Sequence, residues 1–101
     1  MRIVELIYDN KKYVSEFKIN KILEENNFNW LIDAEIEDAE IEIKKNTLIW
    51  HKGTWFSGKF YYGIWLAGDF KSGTFVNGIF YKGKFNGVFK SGIDKSKTIK
   101  K

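Results

Sequence analysis

Reactive side chains are few in this sequence and give little basis for catalysis. His51 is the only histidine, so a histidine metal cluster or a relay between two histidines cannot form within one chain. Ser57, Ser72 and Ser91 are the candidate nucleophiles, but they fall in predicted turns with no histidine beside them. The absence of cysteine excludes disulfides and thiolate chemistry. We therefore expect a non-enzymatic protein with no cofactor and no catalytic or metal-binding residues.

A run of acidic residues offers a second kind of chemistry. Six carboxylates lie between residues 33 and 42 and could hold Ca²⁺ or act as a paired acid and base: Asp33, Glu35, Glu37, Asp38, Glu40 and Glu42. In a strand, however, side chains alternate between the two sides. Glu35 then shares one side with Glu37, and Glu40 shares one with Glu42. We favour a solvated charged face.

Charge divides the chain into two halves. Residues 1–46 carry 7 basic and 11 acidic side chains, whereas residues 47–101 carry 10 lysines and 2 aspartates. The basic half is a candidate surface for nucleic acid or an acidic partner. The acidic half could instead bind this basic surface, either within one chain or between two copies. Two solvated faces are the alternative. Arg2 is the only arginine, which argues against sequence-specific reading of DNA.

Glycine and aromatic residues repeat every five residues in the second half. All nine glycines lie between residues 53 and 92, and an aromatic residue follows each of the first eight by two positions. The unit is Gly-x-aromatic-x-x, and the step from Gly83 to Gly87 is one residue shorter. Because each glycine would cost about 1 kcal/mol in a helix, and because aromatic residues favour strands, the repeat predicts β-structure.

Two β architectures fit the repeat, and both give a mainly β (α+β) fold. We favour an antiparallel meander of short hairpins, with strands near 59–66, 69–76, 79–85 and 88–93. Strand alternation would then place Phe60, Phe70 and Phe80 on one face, and Trp65, Phe75 and Phe85 on the other. The alternative is a small right-handed β-solenoid with a turn at every fifth residue and all rings inside. Several tryptophans per layer would overpack a narrow coil, which argues against it.

The first half is predicted to supply a cap of one strand and one short helix. A strand over residues 2–8 ends at the turn Asp9-Asn10. Ser15 or Asn20 begins the helix, Asn26-Asn27 ends it, and its apolar residues are Ile19, Ile22 and Leu23. We expect one domain over 1–93, with the acidic cap over 1–46 and the repeat sheet over 47–93. Residues 94–101 are expected to form a disordered basic tail.

Several families resemble parts of the repeat. The segments Tyr61-x-Gly63-x-Trp65-x-x-Gly68 and Tyr81-x-Gly83-x-Phe85 resemble MORN repeats, which implies serial antiparallel hairpins and roles in protein or lipid contact. Residues 34–43 are similar to pentapeptide-repeat proteins, which form square right-handed β-helices, some of them DNA mimics. The pattern over residues 29–92 most resembles uncharacterised Gly-x-Trp-x-x repeat proteins of tailed phages.

The repeat surface is the best candidate for function. Lysines beside exposed rings are typical of proteins that bind single-stranded nucleic acid, since lysines meet phosphates and rings stack on bases. A protein partner or a second copy would also suit such a surface. The residues expected to contact a partner are Lys59, Trp65, Lys71, Phe75, Lys82, Lys84, Phe85 and Lys90.

Small size, a high content of amino acids with AT-rich codons (Ile, Lys, Asn, Phe and Tyr) and the phage-like repeat together predict a phage or mobile-element accessory protein. It would bind a host protein or ribonucleoprotein complex stoichiometrically, for example as an anti-defence or anti-CRISPR inhibitor. A single-stranded nucleic-acid-binding module and a structural or virion repeat protein are the alternatives, and a homodimer is a further expectation. With no long apolar run and no export signal, we expect no membrane contact and a location in the host cytoplasm.

Overall fold

The structure is a computed structural model that describes residues 2–97. Its first elements are β1 (Ile3–Tyr8), β2 (Lys11–Tyr13), α1 (Glu16–Glu25), α2 (Asn29–Asp33), β3 (Glu35–Lys44) and the long strand β4 (Thr47–Ser57). Eight two-residue strands then complete the described chain: β5 (Lys59–Phe60), β6 (Ile64–Trp65), β7 (Asp69–Phe70), β8 (Thr74–Phe75), β9 (Ile79–Phe80), β10 (Lys84–Phe85), β11 (Val88–Phe89) and β12 (Ile93–Asp94). The mainly β class with a short N-terminal helix is confirmed.

The N-terminal turns and the helix α1 form where the sequence predicts them. Asp9 and Asn10 have φ of 53° and 61°, the left-handed conformation that a tight hairpin turn requires, and they join β1 to β2. The Ser15 side chain accepts a hydrogen bond from the backbone N–H of Lys18 and so caps α1. The helix ends at Asn26, and its residues Ile19, Ile22 and Leu23 are buried.

The strand β3 links this cap to the repeat. It pairs in parallel with β1 and antiparallel with β4, and Lys45-Asn46 form the tight turn between β3 and β4. Its apolar residues face the core, whereas Glu35 and Glu37 are exposed. The expected charged face is therefore present. A bulge at Asp38, with φ of 54°, separates its two halves.

From residue 49 onward the chain winds into a three-sided β-solenoid. On side A, β4, β6, β9 and β12 pair in parallel, and the stacked residues Trp50, Trp65 and Phe80 lie fifteen residues apart. Side B stacks β4, β7 and β10, and side C stacks β5, β8 and β11. Since each five-residue unit forms one side, three units complete a coil. The coils cover residues 49–63, 64–78 and 79–92, and β12 then begins a further pass along side A.

The aromatic side chains form three ladders inside the solenoid. Rings stacked along the axis are nearly parallel, with interplanar angles from 6° to 16°, whereas rings within one coil meet edge to face. The ladders are Trp50-Trp65-Phe80, Trp55-Phe70-Phe85 and Phe60-Phe75-Phe89. Edge-to-face packing is favourable for aromatic rings, so the coil accommodates two tryptophans in its first layer without overpacking.

Glycines form the corners of the coil, and Gly68 shows why. Its φ of 122° lies in a region that residues with a Cβ rarely adopt. A Cβ at Gly68 would also clash with the carbonyl oxygen of Gly53, the corner beneath it, and would lie 3.1 Å from Trp50 Nε1. Backbone conformation and close stacking therefore both require glycine at this corner.

The solenoid alternative describes the structure, and the antiparallel meander does not. The repeat strands pair in parallel with strands one coil away, and each is two residues long. The expectation that Phe60, Phe70 and Phe80 lie on one face of a sheet and the other rings on the opposite face is wrong. The chain bends at every glycine and strand alternation restarts there, so the ladder rings all point inward. The coil has three sides, unlike the square coil that the pentapeptide resemblance implies.

The predicted tail also needs correction. Asp94 belongs to β12, and the backbone N–H of Lys95 donates to the carbonyl oxygen of Phe80 over 2.7 Å. Residues 94–97 therefore stack on the third coil along side A, while residues 98–101 lie outside the described residues. Among the helices of residues 2–97, neither is long and apolar enough to cross a membrane.

Candidate functional site: a basic terminal coil

The eight residues predicted to contact a partner divide into core and surface. Trp65 and Phe75 are fully buried in the ring ladders, so neither side chain has surface to offer a partner. The five lysines are all exposed, with Lys59 on the first coil and Lys71 on the second. The third coil holds the other four: Lys82, Lys84, Phe85 and Lys90. The structure thus gathers half of the predicted residues at one end of the solenoid.

We call residues 79–97 the basic terminal coil. It carries five exposed lysines and one aspartate: Lys82, Lys84, Lys90, Lys95, Lys97 and Asp94. The second coil carries one lysine and one aspartate, and the first carries two lysines. Positive charge is therefore concentrated at the end of the solenoid that is farthest from the acidic cap.

The lysines surround this end because the coil turns a corner every five residues. Lys82 precedes the corner between sides A and B, Lys84 begins β10 on side B, and Lys90 follows β11 on side C. Lys95 follows β12 on side A. Like charges around one perimeter create a single field that attracts an anionic surface from several directions.

Aromatic rings lie at the centre of the basic terminal coil. Phe80 is fully buried, whereas Phe85 and Phe89 are half-buried and pack on the core from its edge. Asp94 Oδ1 accepts from the backbone N–H of Ser96 over 2.9 Å and from that of Lys97 over 3.2 Å. This turn fixes the last described residues against the third coil.

Three carboxylates at the capped end differ from these lysines, because each lies close to a basic side chain. Lys12 Nζ lies 3.1 Å from Glu5, Lys52 Nζ lies 3.2 Å from Glu40, and His51 Nε2 lies 2.8 Å from Glu42. In the described residues, Lys82, Lys84 and Lys90 have no ion-pair partner, so their charge is available to another molecule.

Of the residues with catalytic or metal-binding potential, His51 and Glu42 form a pair over 2.8 Å, but no larger group assembles in the described residues. No group of three or more histidine, aspartate or glutamate residues in the described chain is placed to hold a metal ion. A groove beside α1 contains Arg2, Glu16 and Glu35, but the guanidinium of Arg2 donates to the carbonyl oxygens of Leu31 and Ala34 over 2.6 and 2.7 Å. Arg2 therefore holds the end of α2 in place.

Comparison of this chain with protein-family models, curated proteins and solved structures finds no match.

Two lysines of the basic terminal coil were missed by sequence reasoning. Lys95 and Lys97 were assigned to a tail because no apolar pattern surrounds them. The signal that finds Lys95 is the coil repeat, shortened by one residue at the step from Gly83 to Gly87: the backbone N–H of Lys95 bonds to Phe80 as that of Tyr81 bonds to Trp65. That spacing becomes informative only once the repeat is recognised as a three-sided coil.

Proposed function

We propose that this chain is a non-enzymatic binding protein that attaches stoichiometrically to an acidic surface of a protein complex. The basic terminal coil carries the proposal, because five exposed lysines there surround half-buried phenylalanines. Charged rims around apolar centres are typical of protein interfaces. The resemblance to phage repeat proteins makes a host defence complex, such as a CRISPR effector, the candidate partner.

Single-stranded nucleic acid is the second candidate. The lysines that have no ion-pair partner in the described residues favour it, because they would also attract phosphates. Stacking on bases would need exposed rings. The ladder rings Trp65 and Phe75 are buried, so in the described part of the solenoid the exposed rings are limited to Phe56, Tyr61, Tyr62 and Tyr81. The protein partner is therefore preferred.

The test is capture from a nuclease-treated bacterial lysate by the immobilised chain and two charge-matched variants. The site variant combines Lys82→Glu, Lys84→Glu and Lys90→Glu. The control combines Lys11→Glu, Lys18→Glu and Lys21→Glu, which are exposed lysines away from the terminal coil. We expect one stoichiometric partner to be captured by the wild type and the control, and binding by the site variant to fall at least about tenfold.

Three results would contradict the proposal. Capture of no stoichiometric partner would remove it, and so would equal loss in both variants, because net charge alone would then explain the binding. Capture of a partner from an untreated lysate that is lost from the nuclease-treated lysate would favour the nucleic-acid candidate. Fluorescence anisotropy with labelled single-stranded oligothymidylate tests that candidate directly. Nucleic-acid binding would appear as an affinity that falls steeply with added salt, because phosphate contacts weaken as salt is raised.

A further inference from the structure

Side A of the solenoid differs from the other sides at one outward position. The first residue of each two-residue strand points outward, because the second belongs to a ring ladder. On side A this residue is isoleucine in every layer, whereas on sides B and C its type varies. The stacked residues are Ile49, Ile64, Ile79 and Ile93 on side A, Thr54, Asp69 and Lys84 on side B, and Lys59, Thr74 and Val88 on side C.

This difference is not explained by folding. The same backbone position accepts threonine, aspartate, lysine and valine on the other two sides, so the coil does not require isoleucine there. An uninterrupted line of four isoleucines, which we call the isoleucine column, therefore indicates a surface that meets an apolar partner.

The isoleucine column is partly accessible: Ile49, Ile64 and Ile79 are half-buried and Ile93 is exposed. Ile93 is 53% exposed, Tyr62 is 53% exposed and Tyr81 is 43% exposed. A shallow groove runs along the column, and Tyr62 and Asn77 form part of its wall. Beyond β4 the same sheet continues through β3 to β1, past the end of the solenoid.

Opposite charges lie at the two ends of this surface. Glu42 pairs with Ile49 in register, so it stands in line with the column at the capped end. Lys95 stands beside the column at the open end, one coil above Tyr81. The wider charge follows the same direction, from the acidic residues 1–46 to the basic terminal coil.

We propose that side A binds a second copy of this chain, with the two isoleucine columns face to face and the two solenoid axes antiparallel. This arrangement brings Lys95 of each copy to Glu42 of the other, whereas a parallel arrangement would oppose like charges. One two-fold axis relates the copies, so each contact occurs twice. The proposal goes beyond the proposed function, because the lysines on sides B and C stay open to another partner.

Sedimentation velocity of the full chain at about 10 to 200 μM tests the dimer. We expect the wild type to sediment with twice the chain mass of 11.9 kDa. Ile64→Lys places a charge at the centre of the column in both copies and should raise the dissociation constant at least about a hundredfold. Thr74→Lys is the matched control, since Thr74 has the same strand position on side C, and it should remain dimeric.

Orientation is tested by exchanging the two charges. Glu42→Lys and Lys95→Glu should each weaken the dimer, and the double variant should restore it, because only the antiparallel arrangement joins these two positions across the interface. Circular dichroism of each variant verifies that the β-fold is retained.

A wild type that remains a monomer at 200 μM would overturn the proposal. If Ile64→Lys then abolished capture of the lysate partner, side A would belong to that partner instead. A dimer that Ile64→Lys leaves intact would place the interface elsewhere. The site variant Lys82→Glu, Lys84→Glu, Lys90→Glu should still dimerise, so failure of the proposed function and failure of this inference give different results.

Discussion

The two ends of the solenoid are built differently. At the capped end, Trp30 from α2 packs on Trp55 and Phe60 with ring centroids 6.4 and 5.2 Å apart, and β3 pairs along the edge of β4. At the other end, β10, β11 and β12 each pair on one edge only within residues 2–97. Because a coil contacts only its neighbours, we infer that stability decreases from the cap toward the basic terminal coil.

Charge follows the same division. At the capped end, glutamates form ion pairs with Lys12 and Lys52 and a hydrogen bond with His51, whereas Lys82, Lys84 and Lys90 of the terminal coil are exposed and have no ion-pair partner within residues 2–97. The comparison indicates that the cap stabilises the fold, and it leaves the exposed terminal coil as the surface that we propose for a partner.

The largest expected difference between the ends concerns the corner glycines. Gly68→Ala forces an unfavourable φ and a clash with Gly53 in the middle of the stack, and should destabilise the protein by about 3 kcal/mol or more. Gly92→Ala produces the same clash with Gly78 at the last corner, where residues 92–97 can detach, so its cost should be about 1 kcal/mol. Urea denaturation measures both, and equal costs would contradict the difference between the ends.

Ring truncation along one ladder should show a smaller gradient. Phe70→Ala removes a fully buried ring from the middle of the ladder and should cost about 3 to 5 kcal/mol. Phe85→Ala removes the half-buried ring at the open end and should cost about half as much. Thermal unfolding followed by circular dichroism gives the comparison, and a larger loss for Phe85→Ala would show that the terminal coil is not the weaker end.

The smallest expected difference concerns backbone opening without mutation. The amides of Leu66 and Lys71 donate to the first coil, whereas that of Lys90 donates to Phe75 in the second coil and that of Lys95 donates to Phe80 in the third. Hydrogen exchange of the latter pair should be at least about tenfold faster, because the third coil has no coil beyond it within the described residues. Uniform protection of all four amides would mean that the solenoid opens as one unit.

Much of the local structure followed from sequence. Ser15 and Asn26 mark the ends of α1 because capping depends on neighbouring residues only. The glycine repeat predicted β-structure because the backbone preferences of its residues are also local. The number of sides in the coil did not follow, because a five-residue unit fits three or four sides and the choice depends on how large rings pack across the axis.

Residues 34–43 lie outside the solenoid that their sequence pattern favoured. The pentapeptide-like residues 34–43 favoured a solenoid, yet they lie in or next to β3, which forms an antiparallel hairpin with β4 and is not part of a coil. Ala39 is buried there beneath the corner Gly53, where a Cβ on the glycine would lie 2.6 Å from the Ala39 Cα. A small residue at this position reflects contact with the first coil, which the sequence pattern alone does not distinguish from a repeat.

The candidate site was only partly predictable. Lysine is exposed in almost any fold because of the cost of burying its charge, so Lys82, Lys84 and Lys90 were correctly placed at the surface. Trp65 and Phe75 were proposed as contact residues because the meander has two aromatic faces. The solenoid has a single interior, and it buries both rings.

The amino-acid sequence by itself determined that the second half turns at every glycine, that the first half forms a helix-containing cap, and that the two halves carry opposite charge. These properties depend on backbone conformation and ionisation, which are set residue by residue. Only the tertiary structure decided that fifteen residues complete a coil, that every ladder ring points inward, and that the isoleucines align on one side. Such alignment arises from contacts between residues one full coil apart, and local preferences do not specify that distance.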